Sequence, residues 1–192
     1  GGAVASPRGA VAPAAAVAGG AGGRAGTGSN GASNTPATGG ILKAGIPGNP
    51  DHLDPARSYT NEGWEILEAT NNGLLTFKKA AGGAGAQIVP DIAAAMPVVS
   101  DGGLTYTFHL RHGVMFSAPV NREVKPSDFK FSIERLFRVD SGGVGFFTGI
   151  AGAQSYAKTR KGGISGIVAD DARMTISFHL TQPDGTFLDY MA

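Results

Sequence analysis

The sequence predicts an α+β domain in which helices pack on one side of an antiparallel sheet. Two segments, residues 100–110 and 169–180, alternate apolar and polar side chains, which is typical of half-buried antiparallel strands. In each, an apolar pair and an acidic turn precede the alternation, so each predicts a β-hairpin. Between them, residues 126–138 place Phe129 and Ile133 on one face of a predicted helix. Strands and helices in this mixed order favour the α+β class.

The first 40 residues differ in composition from the rest of the chain. More than half of them are Gly or Ala, and none is aromatic, acidic, Leu or Ile. Such a segment cannot bury enough apolar surface to offset the entropy of ordering it, so we expect residues 1–40 to form a disordered linker. Residues 11–18 are apolar and could instead be the end of a signal peptide, although Pro13 interrupts them.

Charge and cysteine content exclude several kinds of site. The predicted linker carries only Arg8 and Arg24, and residues 41–192 hold nearly equal numbers of acidic and basic residues. They contain no cluster of Lys and Arg of the kind that grips nucleic acid, so no nucleic-acid partner is expected. The chain has no cysteine, which rules out disulfides, thiolate zinc sites and cysteine nucleophiles.

The remaining elements are predicted from apolar runs and the turn residues beside them. Residues 41–46 predict a short strand, which ends at a Pro-Gly-Asn-Pro loop. Residues 62–72 predict a helix that ends at an Asn-Gly pair, and residues 74–77 predict a short strand after it. A further short helix is expected near 154–159.

Two histidines, His109 and His179, occupy matching places in the two predicted hairpins. If their strands are neighbours, the two imidazoles could share a metal ion. Both lie on the face of the strand that carries Thr and Ser, however, and no third ligand recurs at a fixed spacing. We therefore expect two solvent-facing histidines and no metal site, with the shared ion as the alternative.

No set of side chains predicts catalysis. Asp51, His52 and Asp54 resemble an acid–base cluster, but neighbours along a chain do not converge on one point, and Asp before Pro is a common turn former. The glycines of residues 143–149 resemble a phosphate loop, yet they follow a helix and lack the Lys-Ser/Thr ending. No catalytic residue and no cofactor is therefore assigned, and a carbohydrate hydrolase is the less favoured alternative.

Several motifs carry a resemblance to a known family. The main ones are Val-Pro-Asp-Ile-Ala at 89–93, Ser-Asp-Gly-Gly-Leu-Thr-Tyr-Thr-Phe-His-Leu at 100–110, and Pro-Ser-Asp-Phe-Lys-Phe-Ser-Ile-Glu-Arg-Leu at 126–136. With Leu-Asp-Pro at 53–55 and Thr-Gln-Pro at 181–183, they make residues 41–192 resemble the family 5 extracellular solute-binding proteins. These are the peptide, nickel and related binding proteins of bacterial ABC transporters.

The sequence departs from the family pattern at a few places. Met96 stands where the family usually has Trp, and residues 117–124 replace an acidic-Gly turn. Lys125 precedes the predicted helix where the family often has Thr. These differences alter a loop and a helix cap. They make the subfamily harder to assign but leave the family resemblance intact.

The resemblance implies a fold and a domain organisation. The chain would be the N-terminal part of a two-lobed fold like the type II periplasmic binding proteins, cut off before its second lobe. Residues 41–62 would form the first strand and cleft loop of a discontinuous N-terminal lobe, and residues 63–182 an inserted α+β domain. Residues 183–192 would be the truncated return into that lobe, which supplies the partners of the first strand.

The resemblance also implies a function. The chain would be the substrate-binding component of an ABC importer, not an enzyme, and would capture a peptide or similar small solute outside the cytoplasmic membrane. It would act as a monomer tethered by a lipid anchor or signal segment, with the membrane permease as its partner. The residues expected to line its cleft are Tyr59, Thr60, Asn61, Phe146 and Phe147. Peptides, nickel chelates, sugars and opines remain open as ligands, and a sensor or scaffold domain of the same fold is the alternative function.

Overall fold

The computed structural model of the protein describes residues 5–6 and 43–192. Contacts divide the chain into two units, Gly1–Arg8 together with Ile46–Ala192, and Gly9–Gly45. Of the second unit only residues 43–45 are described, and they form neither helix nor strand. All helices and strands of the described residues therefore belong to the first unit.

The first unit contains three α-helices and eight short strands among its described residues. The helices are α1 (Asn61–Thr70), α2 (Pro126–Arg138) and α3 (Ala153–Thr159). The strands are β1 (Ala5–Ser6), β2 (Leu75–Phe77), β3 (Ile88–Pro90), β4 (Val98–Ser100), β5 (Thr105–His109), β6 (Met115–Phe116), β7 (Ile167–Asp170) and β8 (Thr175–His179). Three 3-10 helices span Gly82–Ala86, Gly142–Phe147 and Asp189–Met191.

The central sheet has four antiparallel strands in the order β4-β5-β8-β7. It consists of two hairpins side by side, which meet where β5 pairs with β8. One face of the sheet is buried because the apolar residues of the alternating segments all point to it. The side chains buried on that face include Tyr106, Phe108, Ile167, Ile176 and Phe178. The two predicted hairpins and the α+β class are confirmed.

Helix α2 packs on the buried face of the sheet, against β7 and β8. It begins at Pro126, whose fixed φ suits the first helical position. In its first turn, Asp128 accepts a hydrogen bond from the backbone N–H of Lys125 at 2.8 Å. Phe137 is fully buried and packs edge-on against Tyr156 of α3, with ring centroids 6.0 Å apart. The helix predicted over residues 126–138 is confirmed at both ends.

Residues after the second hairpin join the same core. Phe187 is 1% exposed, and its ring centroid lies 4.8 Å from that of Tyr106 and 5.6 Å from that of Phe178. Met191 is also buried. The segment after residue 182 therefore packs beneath the central sheet. The predicted domain boundaries at 62/63 and 182/183 stay predictions.

Two expectations about the start of the chain differ from the structure. The strand predicted over residues 41–46 is wrong for 43–46, which are exposed and form no strand. A strand requires a neighbour for its backbone hydrogen bonds, and no described strand pairs with these residues. Within the predicted linker, Ala5–Ser6 form β1, which pairs with β6. Residues 1–4 and 7–42 lie outside the described part, so the linker stays a prediction for residues 1–4 and 7–40, and so does the strand for residues 41–42.

Within the described ranges, no helix is both long enough and apolar enough to cross a membrane.

Candidate functional site

Residues 51–60 form the Asp51 loop, which folds around one carboxylate. Oδ1 of Asp51 accepts hydrogen bonds from the hydroxyls of Ser58 and Thr60, at 2.8 and 3.0 Å. Oδ2 accepts from the backbone N–H of Tyr59 at 2.8 Å. This N–H is the largest of the effects that hold the pKa of Asp51 well below its usual range. The ionised carboxylate therefore fixes the stretch of backbone that presents Tyr59.

Thr60 ends the Asp51 loop and caps helix α1. Its Oγ1 accepts a hydrogen bond from the backbone N–H of Gly63 at 3.3 Å, as expected of a residue just before a helix. The loop lies so close to the helix that a Cβ on Gly63 would be 2.0 Å from Oγ of Ser58. Asn61, the first residue of the helix, is exposed. Of these two predicted cleft residues, Thr60 is used as a cap and Asn61 is free to face solvent.

An ion pair between Asp54 and Arg135 ties the Asp51 loop to helix α2. The guanidinium donates two parallel hydrogen bonds to the carboxylate, at 2.7 and 2.6 Å. It is the largest cause that lowers the pKa of Asp54 from 3.8 to about 2. Sequence analysis missed this pair, because no local pattern relates two residues that are 81 positions apart.

Tyr59 contacts both Trp64 and the glycine-rich loop, residues 141–149. Its ring lies edge-on to Trp64, with centroids 5.5 Å apart, and about half of the residue is exposed. A Cβ on Gly142 would lie 2.9 Å from Cδ2 of Tyr59, so only glycine permits this approach. The indole Nε1 of Trp64 donates to the carbonyl oxygen of Ser58 at 3.2 Å. The structure therefore brings together the two segments in which the sequence predicts cleft residues.

The two phenylalanines of the glycine-rich loop lie in different surroundings. Phe146 is 39% exposed, and its ring centroid is 5.0 Å from that of Tyr190. Phe147 is buried and belongs to the core. Exposed Trp64 and half-buried Tyr190 thus join Tyr59 and Phe146 near the two loops, and sequence analysis did not single them out as site residues. The available sign was that Trp64 is the sole tryptophan of the chain.

An apolar pocket of about 300 Å³ adjoins both loops. The Asp51 loop contributes Pro55 and Ala56 to it, and the glycine-rich loop contributes Phe147. Most of its remaining wall is apolar and comes from α2, from residues 71–74 and from residues 190–191. These wall residues include Leu74, Phe129, Ile133, Leu136 and Met191. A concave apolar surface of this size is typical of small-molecule sites.

Three of the described acids, Asp51, Asp54 and Glu134, bind groups of the protein itself. Asp51 and Asp54 bind different partners, as given above, so they do not converge on one point. The buried Glu134 accepts hydrogen bonds from the backbone N–H of Ile164 at 2.9 Å and from Arg138 at 3.2 Å. Each of these acids therefore holds together parts of the chain that are apart in sequence.

The pairing of β5 with β8 separates the two histidines. His179 lies opposite Thr105, and His109 lies opposite Thr175 at the other end of the pairing, about 13 Å along the strand. Nδ1 of His179 lies 3.1 Å from Oγ1 of Thr105, and the residue is half-buried, whereas His109 is exposed. The expectation that both histidines are exposed therefore holds for His109 and is wrong for His179, which is half-buried. In the part of the chain that the structure describes, no three His, Cys, Asp or Glu side chains are grouped to hold a metal ion.

Comparison with known proteins decides the family. Residues 87–192, more than half of the chain, match the family described as Bacterial extracellular solute-binding proteins, family 5 Middle. The chain belongs to this family. The resemblance drawn from the sequence motifs is therefore confirmed, and the match includes the glycine-rich loop but not the Asp51 loop.

The sequence is also similar to individual peptide-binding proteins. The solute-binding protein is 35% identical over 98 residues to Di/tripeptide-binding protein 1 of Pseudomonas aeruginosa (strain UCBPP-PA14), covering 48% of this chain and 17% of that protein. It is 31% identical over 159 residues to the dipeptide-binding protein of Escherichia coli (strain K12), covering 76% of this chain and 27% of that protein.

A solved structure shows the same fold. The substrate-binding domain of an oligopeptide ABC transporter from Bacillus anthracis str. Ames superposes with a TM-score of 0.64 and 27% identity. The match covers 73% of this chain and 26% of that one. The solute-binding protein therefore has the fold of part of a periplasmic peptide-binding protein, and it spans only 17% to 27% of the length of these three relatives.

Proposed function

We propose that this solute-binding protein captures a short peptide or similar small solute outside the cytoplasmic membrane and delivers it to an ABC permease. The observation that carries the proposal is the contact of Tyr59 with the glycine-rich loop at Gly142. It gathers exposed aromatic side chains from both loops beside an apolar pocket. The names of the relatives, which are peptide- and dipeptide-binding proteins, favour a peptide as the solute.

Each predicted site residue has a separate role in the proposal. Tyr59 and Phe146 offer aromatic surfaces that pack on apolar side chains and on peptide planes. Asn61 offers an exposed amide for hydrogen bonds to the ligand. Thr60 positions Tyr59 by capping α1 and bonding Asp51, and Phe147 forms part of the pocket wall.

The proposal includes further features that follow from the family. The protein acts as a monomer, is tethered outside the membrane by a lipid anchor or signal segment, and has no catalytic activity. The carboxylates of Asp51 and Asp54 already accept hydrogen bonds from other groups of the protein. This supports a binding role, since an acid–base catalyst needs a free group in a cleft.

Binding can be followed through Trp64, the sole tryptophan, because it touches Tyr59. We expect the fluorescence of the 192-residue chain to change on titration with trialanine, with an affinity of about 1 mM, because the described residues form one face of a site. The dipeptide-binding protein of Escherichia coli, titrated with dialanine, is the positive control.

A pair of variants tests whether the ligand binds beside Tyr59. Tyr59→Ala should weaken trialanine binding at least about fivefold, because it removes the aromatic surface at the junction of the loops. Val168→Ala is the matched control, since Val168 is equally exposed but lies on the central sheet. A folded chain that gives no response to trialanine, or equal affinities in both variants, would contradict the proposed function.

A further inference from the structure

We propose that Asn72 is a site of spontaneous deamidation, and that Asp91 slows the reaction by holding the side-chain amide of Asn72. Asn72 is half-buried and is followed by Gly73, and its Nδ2 donates a hydrogen bond to Oδ2 of Asp91 at 2.8 Å. Deamidation would place a second carboxylate beside that of Asp91. The site is separate from the proposed function, since no ligand takes part in the reaction.

The reaction joins the backbone of Gly73 to the side chain of Asn72. The nitrogen of Gly73 attacks Cγ of Asn72 and closes a cyclic imide. The side-chain amide leaves as ammonia with the proton that the Gly73 nitrogen gives up. Water then opens the imide at either carbonyl, so residue 72 becomes aspartate or isoaspartate. A following glycine favours the attack, because it has no Cβ to obstruct the nitrogen and its backbone is the most permissive.

The packing of the fold requires this glycine. A Cβ on Gly73 would lie 2.8 Å from the carbonyl oxygen of Leu75 and 3.0 Å from that of Met191, so a larger residue would force the backbone to shift. The carbonyl oxygen of Gly73 accepts a hydrogen bond from the N–H of Ile92 at 3.1 Å. Its own N–H, the attacking group, donates no hydrogen bond to any described residue. The residue that makes Asn72 reactive is therefore fixed by the core, and its nitrogen is not engaged.

The hydrogen bond to Asp91 opposes the reaction. The backbone N–H of Asp91 donates to the carbonyl oxygen of Leu74 at 3.1 Å, which fixes Asp91 beside the segment that follows Asn72. Its carboxylate can therefore hold the amide of Asn72 in place. The amide must leave this carboxylate before it can be released as ammonia. Hydrogen bonds to charged groups are among the stronger ones in proteins, so losing this one should raise the rate at least about tenfold.

Deamidation should weaken the contact between the segment after α1 and the segment after β3. An oxygen would replace Nδ2, so the carboxylate of Asp91 would face a like charge instead of a donor. Leu74 and Ile92, which follow the two residues, are each 2% exposed, so the repulsion acts at the margin of the core. Asn72→Asp, which copies the aspartate product, should raise the unfolding equilibrium constant in urea at least about fivefold. Asn121→Asp, at an exposed residue, is the matched control and should change it less than about twofold.

The experiment follows two Asn-Gly pairs of the chain in one sample, Asn72-Gly73 and Asn30-Gly31. The 192-residue chain is incubated at neutral pH, either folded or in urea, and is then digested. Mass spectrometry quantifies aspartate and isoaspartate at residues 30 and 72. In urea the two pairs should react at similar rates, because only the local sequence acts. In the folded protein Asn72 should react at least about tenfold more slowly than in urea.

Three variants test the role of Asp91 in the folded protein. Asp91→Ala removes the acceptor, so Asn72 should deamidate at least about tenfold faster than in wild type. Asp91→Asn keeps an uncharged acceptor oxygen and should give an intermediate rate, since a neutral hydrogen bond is weaker. Asp189→Ala is the matched control and should keep the wild-type rate, because Asp189 lines the same surface groove as Asp91 but makes no hydrogen bond to Asn72.

Several results would overturn the inference. These are a rate at Asn72 in Asp91→Ala that is equal to or below that of wild type, and an absence of aspartate and isoaspartate at residue 72 in urea. Unfolding alone would speed up the reaction, so thermal unfolding is measured first to show that each variant is folded. If Asp91→Ala does not fold, Asp91→Asn decides against wild type, and equal rates in these two proteins would likewise overturn the inference.

Discussion

The central sheet and the Asp51 loop are held in place by different forces. In the sheet, the rings of Phe108, Phe178 and Phe187 are almost completely buried, and backbone hydrogen bonds join all four strands. In the Asp51 loop, most polar contacts converge on the carboxylates of Asp51 and Asp54, while Tyr59 stays exposed. The sheet is therefore stabilised mainly by apolar burial, and the loop by charge-assisted hydrogen bonds.

The part of the molecule that mainly stabilises the fold is therefore separate from the part that carries the proposed site. Burial is insensitive to pH and tolerates little change in volume, whereas hydrogen bonds to a carboxylate are lost when the acid is protonated. The exposed aromatic residues of the proposed site lie on the part that is held by charges. We therefore expect the two regions to respond to different perturbations.

The largest effect is expected from truncation in the sheet. Phe178→Ala removes a ring that is fully buried against Phe108 and Phe187, so it should lower the free energy of unfolding by about 3–5 kcal/mol. The matched change in the glycine-rich loop, Phe146→Ala, should cost less than about 1 kcal/mol because its ring is 39% exposed. Urea unfolding of both variants measures the contrast, and equal losses would refute it.

A smaller effect of unusual sign is expected at the start of α1. Alanine in place of glycine within a helix ordinarily stabilises by about 0.5–1 kcal/mol. At Gly63 the added Cβ would meet Oγ of Ser58 at 2.0 Å, so Gly63→Ala should instead destabilise by about 1–3 kcal/mol. Gly145→Ala is the control, since no atom lies within 4 Å of its Cβ position. A Gly63→Ala protein as stable as wild type in thermal unfolding would show that the loop does not press on the helix.

The ion pair of Asp54 and Arg135 predicts a dependence on pH that the sheet lacks. Asp54→Asn should lower the free energy of unfolding at pH 7 by about 1–2 kcal/mol, because two charge-assisted hydrogen bonds are lost at a partly exposed site. The folded-state pKa of Asp54 is lowered from 3.8 to about 2. The contribution is therefore fully present above the unfolded pKa and is lost as the pH falls through about 2.

Urea unfolding between pH 7 and pH 2 checks this prediction. The difference in stability between wild type and Asp54→Asn should be constant above about pH 5 and shrink as the pH falls below 4. Phe178→Ala, measured alongside, should differ from wild type by a constant amount over the same range. A constant difference for Asp54→Asn as well would mean that the pair does not stabilise the fold.

The smallest effect is expected on the solvent-facing side of the sheet. Replacing both His109 and His179 by Ala should cost less than about 1 kcal/mol, because the change removes one hydrogen bond to Thr105 and no buried apolar group. Calorimetric titration of the unaltered protein with zinc should reveal no tight site. Sub-micromolar affinity that disappears in the double variant would contradict the separation of the two histidines.

Local patterns were enough to predict the sheet and helix α2. Alternation in residues 100–110 and 169–180 predicts both hairpins, and the apolar spacing of 126–138 predicts the helix with its bounds. The same reasoning failed at residues 43–46, where an apolar run forms no strand. A run of that kind specifies what can pair in a sheet, but the presence of a partner depends on the rest of the chain.

The candidate site was predictable only in part. The family motifs pointed to the segment around Tyr59 and to the glycine-rich loop. Nothing in the sequence showed that Phe147 would be buried while Phe146 stays exposed, since neighbours in a 3-10 helix face different directions. Thr60 likewise serves as the N-cap of α1. A Thr just before a predicted helix is compatible with that role, but the sequence alone does not establish it.

The sequence alone was enough for the class of the fold and the buried face of each hairpin, because both depend on periodic patterns between near neighbours. The resemblance to the family came from the motifs of the sequence. Two contacts depended on the tertiary structure: the pairing of Arg135 with Asp54, and the approach of the Tyr59 ring that Gly142 permits. Such contacts join residues that are distant along the chain. Their geometry exists only once the packed core has fixed the elements that carry them.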